Sequence, residues 1–344
     1  MVFPSPTATS QAPNSPITVT TAGEALMDMI QEADGRLRPC DGGAVYNLTR
    51  ALGLQGVGTL YLNPLSQDRF GRGLARAIAA ARVTLAHPAP AHEPTSLAVV
   101  SLDEAGKASY SFYREGVADR QVDAATMTAQ CAAQPALKIA VTGCLALVAD
   151  DSHKYLPWLQ AQRAAGRLVV VDANLRPAIV PDMAAYQASV MAALGEADIV
   201  KVSDDDLHIL GFNNPDPLVA ARALLAQTPA RWLALTLGAQ GAVILARDGG
   251  AWQAAESQPV KVADTVGAGD SFLAGLLVAL LDRPALRAAK TAADLRLDAS
   301  DVEDLLANAI ACASLCVMET GCVPPTREQV LQRLSAGRPS FRAL

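Results

Sequence analysis

The chain has 344 residues, 51% of them hydrophobic and 18% charged, with a formal net charge of −6. That length accommodates two average domains or one large α/β sheet with a sizeable core, and the composition is that of a globular chain rich in Ala and Leu. An acidic chain without a Lys/Arg run excludes nucleic acid as the main partner, and the longest apolar run, Phe272–Leu281, stops at Asp282, too short to cross a bilayer.

Residues 1–16 are rich in Pro, Ser, Thr and Ala and have neither a basic start nor an apolar stretch. They read as a disordered leader instead of a signal peptide, and the expected location is cytoplasmic. Pro16–Ile30 reads as a first strand with Gly23-Glu24 inside it and Asp28 near its end. That end is where a parallel sheet binds ligands, although a turn-capping role for Asp28 is open. The polar segment 31–41 reads as a hairpin. Gly42-Gly43 before a helix lets backbone approach a ligand closely, and Asn47 follows one turn in. Asp68, with Gly71 after it, fits a helix cap. Residues 94–119 hold two alternating runs around Glu104-Ala105-Gly106, a β-hairpin.

Leu137–Gly143 and Leu168–Asp172 are short apolar runs separated by the helical stretch Ser152–Ala165. This βαβ rhythm predicts a doubly wound, mostly parallel sheet. The second run ends in D-A-N-L-R-P, which puts Asp172, Asn174 and Arg176 at the carboxyl edge. Arg176 is suited to a phosphate or substrate oxygen, or to a capping salt bridge. Asp198–Leu210 contains Lys201, Ser203 and Asp206, its three consecutive acids fitting a helix N-terminal cluster. Arg231–Leu245 gives two strands across T-L-G-x-x-G, and Asp282–Asp304 a charged helix and loop before a helix at Val302–Met318. Residues 17–335 read as one domain and 336–344 as a tail.

Val262–Leu277 stands apart. A strand end, a turn carrying Gly267 and Gly269 and then an apolar helix direct free backbone N–H groups and a helix dipole at one point, an anion site. Asp270 in that first turn is either a cap or a base placed where a phosphoryl group meets a hydroxyl.

D-T-V-G-A-G-D-S-F followed by A-G resembles the C-terminal signature of the ribokinase-like (PfkB) carbohydrate kinases. Gly42-Gly43, Asn47 and the D-x-F-G at Asp68–Gly71 resemble the N-terminal one, and G-E-A-L-M-D is similar to fructokinase-like members. The resemblance spans about Thr18–Leu334. It implies a ribokinase-like α/β fold with a small β-sheet lid, ATP and Mg²⁺ as cofactors and a sugar as acceptor. In that reading Asp270 is the base and Gly267, Ala268 and Gly269 form the anion hole. Asp28, Gly42, Gly43, Asn47, Tyr113, Arg114 and Arg176 face the sugar, and Lys201, Ser203, Thr236, Gly238 and Gly241 the nucleotide. The family's magnesium pair is Asn and Glu; this chain has Ser203 and Asp206, which leaves Asp206 as the residue to hold Mg²⁺ through water. Asp264 and Val266 match positions around a monovalent cation such as K⁺, and the lid edge invites a homodimer.

The absence of G-x-x-x-x-G-K-[ST] and of a G-x-G-x-x-G after the first strand disfavours P-loop and nicotinamide enzymes. An ATP-dependent sugar kinase, with fructose as first acceptor, leads. Kinases of 2-keto-3-deoxygluconate, ribose or nucleosides, and a non-catalytic sugar-binding protein on the same fold, are the alternatives. The six cysteines show no C-x-x-C pairing and the four histidines are scattered, so neither a zinc set nor a His-based triad is expected. The thiols read as buried and reduced.

Overall fold

The computed structural model describes residues 15–32, 34–102, 108–289 and 291–344; the Glu104-Ala105-Gly106 turn and nearly all of the expected leader lie outside the described residues. The strands in chain order are β1 (Val19–Ala22), β2 (Leu26–Gln31), β3 (Leu37–Gly42), β4 (Thr59–Tyr61), β5 (Thr84–Leu85), β6 (Ser96–Leu102), β7 (Ala108–Tyr113), β8 (Ile139–Gly143), β9 (Leu168–Asp172), β10 (Ile199–Ser203), β11 (Trp232–Thr236), β12 (Ala242–Ala246), β13 (Ala251–Ala255) and β14 (Ser340–Ala343). A ten-stranded sheet has the order β14-β13-β12-β11-β10-β9-β8-β1-β4-β5, and a four-stranded sheet the order β3-β2-β6-β7. From β11 to β5 the neighbours are parallel; β11 to β14 are antiparallel. In the small sheet β2 and β6 are parallel, with β3 and β7 antiparallel on the outside.

Strand composition explains this layering. β9 reads LVVVD and is buried along its length. Val169 and Val171 enter one core with Trp158, Leu159 and Tyr186, whereas Leu168 and Val170 enter a second with Leu273, Leu277 and Leu306. β11 divides the same way, Leu233 and Leu235 against Trp232 and Ala234. A strand apolar on both faces is stable only where helices cover both sides, and each fully buried Leu or Val contributes about 1.5–3 kcal/mol. The helix Ala268–Asp282 follows the same logic: it is buried from Asp270 to Leu280 because it packs against both Ala44–Leu54 and Ala299–Val317.

Pro16–Ile30 is two strands in different sheets, not one. β1 lies between β4 and β8; the chain then leaves the large sheet at Gly23. There the Gly23 N–H donates to Asn63 Oδ1 (2.7 Å) and the Tyr61 hydroxyl donates to the Gly23 carbonyl (2.8 Å), so side chains replace the ladder partners. Asp28 consequently sits mid-strand in the small sheet, not at the carboxyl edge of the large one. The helix expected at Val302–Met318 runs Ala299–Val317, opened by a reciprocal cap between Asp298 and Asp301. Residues 340–343, beyond the 17–335 unit read from sequence, add β14 to the edge of the large sheet. Among the described residues no helix is long and apolar enough to cross a membrane.

Candidate active site

The Asp270 turn lies at the start of the Ala268–Asp282 helix. Gly267 caps it in the left-handed region, φ 77°, and a Cβ there would run into Cys322 Sγ. Both the sign of φ and the close sulfur restrict this position to glycine. Gly267, Ala268 and Gly269 are half-buried; the Ala268 N–H turns to the Thr265 carbonyl at 3.3 Å.

Asp270 is only 6% exposed. Two amides hold its carboxylate: Asn47 Nδ2 donates to Oδ2 at 3.0 Å and Asn174 Nδ2 donates to Oδ1 at 3.3 Å. Burial pushes its pKa from 3.8 up to about 6, against the pull of Lys201, the Asn47 hydrogen bond and Arg176. An aspartate titrating near 6 is a far better proton acceptor than an exposed one. A capping aspartate would bond its own helix's N–H groups, whereas this one is fixed by amides from the N-terminal half and from the β9 edge. Asn47 Oδ1, buried beside it, has no hydrogen-bond partner, so an acceptor stands ready for a donor such as a hydroxyl.

Asn174 was visible in the sequence at the carboxyl edge but not as a site residue. Its φ of 41° is left-handed, a conformation Asn tolerates better than most residues, and it is the Asn of the string that resembles the family's D-x-N-x-R. Lys201, assigned to the nucleotide from sequence, lies on β10. Its Nζ, 3% exposed as a residue, lies 3.0 Å from Asp172 Oδ1 and 3.0 Å from where a Cβ on Gly269 would be. Burial favours the neutral amine, but Asp172, Asp206 and Asp270 outweigh it and hold Lys201 protonated. It is therefore a buried cation beneath the Asp270 turn.

The small sheet supplies the facing wall. Asp28 is half-buried, its pKa raised to about 6 by burial against the pull of Arg176. Gly43, φ 103°, begins the Ala44–Leu54 helix, and a Cβ there would be 2.7 Å from the Glu24 carbonyl. Glu24, buried and not anticipated as a site residue, accepts from the Ala44 N–H at 2.7 Å and fixes the helix that carries Asn47. Gly42 packs on the Asp28 carboxylate so closely that a Cβ would collide with it.

The other expected residues differ in burial and in partners. Tyr113 is 61% exposed, while Arg114 turns inward and pairs with buried Asp119 at 3.3 Å. Arg176 donates to the Asn174 and Leu175 carbonyls at 3.2 and 3.0 Å and lies near enough to Asp28 and Asp270 to stabilise both anions. Asp206 accepts from the Leu175 N–H (2.7 Å) and from the Ser203 N–H and hydroxyl (both 2.8 Å), so its carboxylate ties two loops together. Thr236, Gly238 and Gly241 surround the β11–β12 turn. Asp264 accepts from the Val266 and Gly321 N–H groups at 3.1 and 2.9 Å, and Val266 is 42% exposed.

The pfkB family carbohydrate kinase model matches residues 19–329. The chain belongs to the pfkB family of carbohydrate kinases. It is thus a phosphotransferase acting on a sugar hydroxyl, with a ribokinase-like fold. A fructokinase of Rhizobium leguminosarum bv. trifolii is 32% identical over 266 residues, covering 76% of this chain and 79% of the relative. The crystal structure of Xylella fastidiosa fructokinase with bound ATP superposes with a TM-score of 0.78 at 26% identity, over 93% of this chain and 98% of that one. Fructokinase from Vibrio cholerae O395, solved with fructose, ADP and calcium ion, superposes with a TM-score of 0.73 at 25% identity, over 92% and 99%. Family membership gives the reaction type. The arrangement around Asp270 bears on its chemistry.

Proposed function

We propose that this kinase transfers the γ-phosphate of ATP to a primary hydroxyl of fructose, with Asp270 as the base. The observation that carries the reading is the buried Asp270 carboxylate, held by Asn47 and Asn174 with its pKa near 6. Asp28 and Asn47 orient the sugar, with Gly42-Gly43 allowing its close approach, so that one hydroxyl reaches Asp270. Asp270 takes the hydroxyl proton as the oxygen attacks the γ-phosphorus in line and ADP leaves. Positioning and the positive turn at Gly267–Gly269 supply most of the rate enhancement.

Thr236, Gly238 and Gly241 are the residues assigned to the nucleotide. Among the described residues no group of three or more His, Cys, Asp or Glu side chains could hold a metal ion. That fits Mg²⁺ arriving on the phosphates with its own waters and not a protein cage, with Asp206 the residue assigned to those waters. When bound it neutralises phosphate charge. Asp264 and the Val266 carbonyl are the assigned monovalent-cation positions. The small sheet acts as the lid, and β7 on its outside is the edge through which two copies would pair.

The fructokinase relatives and the inward turn of Arg114 favour a neutral sugar over a sugar acid, since the ion pair with Asp119 removes one cation from carboxylate recognition. An ADP-release assay over ketoses, aldoses, nucleosides and sugar acids tests this. Fructose is expected to lead in kcat/KM by ~10²-fold or more over 2-keto-3-deoxygluconate; a sugar acid or nucleoside at the head of the panel replaces the assignment.

A further inference from the structure

Three of the cysteines lie near the Ala268–Asp282 helix, and they are not equivalent. Cys312 is buried in the core, its sulfur accepting from Gln55 Nε2 at 3.3 Å. Cys316 and Cys322 instead meet beneath the Asp270 turn. Cys316, on the last turn of the Ala299–Val317 helix, donates its S–H to the Val266 carbonyl at 3.6 Å. Cys322, in the loop that follows, packs directly under Gly267. The two thiols are close enough for each to perturb the other's titration. Two neighbouring sulfurs thus support two consecutive residues, Val266 and Gly267, of the turn that presents Asp270. Cys322 is half-buried while Cys316 is wholly buried, and it is Cys316 whose thiolate the surroundings favour, its pKa lowered to about 7 chiefly by Cys322.

We propose that Cys316 and Cys322 form a redox modification site whose disulfide displaces the Asp270 turn and switches phosphoryl transfer off. The reactant is a peroxide. One sulfur of the pair, as its thiolate, attacks one peroxide oxygen, the O–O bond breaks, and a sulfenic acid forms with release of water. The other sulfur then attacks the oxidised one, the S–O bond breaks, a second water leaves and the S–S bond forms. Two thiols are oxidised by two electrons and one H₂O₂ is reduced to two H₂O. A thiol–disulfide exchange with a dithiol reductant reverses it. The mechanical consequence follows from bond length. The two sulfurs must close to about 2.05 Å, so Cys322 Sγ leaves the position from which it backs Gly267. The Cys316 S–H that holds the Val266 carbonyl is lost in the same step.

This inference rests on Asp270 being the working base, and the test separates the two. The full chain is treated with stoichiometric hydrogen peroxide, and the linked peptides are mapped without reduction. Turnover is measured by ADP release with the best acceptor of the panel, before and after dithiothreitol. The expected result is a Cys316–Cys322 link, a loss of turnover of ~10²-fold, the scale of losing one anion-stabilising donor, and full recovery on reduction. Cys322→Ser and Cys316→Ser should lose the peroxide response and Cys312→Ser keep it. Mapping that finds no Cys316–Cys322 link, or a fully linked protein that turns over at the reduced rate, overturns the proposal. Because the link is read by mapping, it is scored independently of whether fructose is the acceptor or Asp270 the base.

Discussion

The two sheets use the same backbone pattern for opposite ends. In the ten-stranded sheet, β8 and β9 are buried along their length. In the four-stranded sheet, β2 passes from buried Leu26 to exposed Gln31 and β3 is mostly exposed, with half-buried Asp28 between them. The large sheet can therefore carry stability and a base that must not move, while the small one keeps polar groups accessible. Substitutions should separate along this line: turnover and stability on the large-sheet side, recognition on the small-sheet side.

The largest effect is expected from Asp270→Asn, which should lower kcat by at least ~10²-fold, measured by ADP release at saturating substrate. Its fold should not suffer. With a folded pKa raised from 3.8 to about 6, the carboxylate costs stability above pH 6, and that cost is lifted as the pH falls through 6 toward 3.8. The neutral amide should therefore give a Tm at pH 7 no lower than wild type; a clearly lower Tm would mean that the charge holds the fold. Leu159→Ala, in the other core and 0% exposed, should cost ~2–5 kcal/mol in urea denaturation with kcat unchanged, whereas Leu37→Ala on β3, 45% exposed, should stay within about 0.5 kcal/mol. Equal losses at the two sites would erase the contrast between the sheets.

Asp28→Asn should raise KM for the sugar by ~10–10²-fold, the worth of a hydrogen bond to a charged group, with a smaller change in kcat. A kcat loss as large as that of Asp270→Asn would move Asp28 into the chemistry. The smallest effect is a displacement of the pH profile. The acid limb of kcat should fall near pH 6 as Asp270 protonates. Lys201→Met, by removing the buried cation beneath the turn, should raise the Asp270 pKa and move that limb upward by ~1 unit, while KM for ATP changes little. A large rise in KM for ATP with an unmoved limb would return Lys201 to the nucleotide.

Much of this was legible in the sequence. The apolar runs at β8 and β9 announce a two-faced parallel sheet, and the glycines around Asp270 announce an anion site, because both signals are local and periodic. The family signatures join those signals to a reaction. What periodicity could not show was the break at Gly23. Pro16–Ile30 reads as one strand in sequence, and only the bend at Gly23, held by the Asn63 and Tyr61 side chains distant in sequence, divides it between two sheets. Likewise Arg114 reads as a lid residue until Asp119, buried beside it, draws it inward.

The sequence by itself determined the fold class, the reaction family and the acid at the turn, since each is written in contiguous residues. Only the tertiary structure decided what surrounds that acid. The hydrogen bond from Asn47 spans 223 positions, the Asn174 amide reaches Asp270 from a left-handed backbone, and Lys201, Cys316 and Cys322 arrive from a strand, a helix and a loop with no spacing relation to it. Burial, and with it a carboxylate that titrates near 6, is a property of that convergence, because desolvation depends on which distant segments exclude water and not on the residue's own neighbours in the chain.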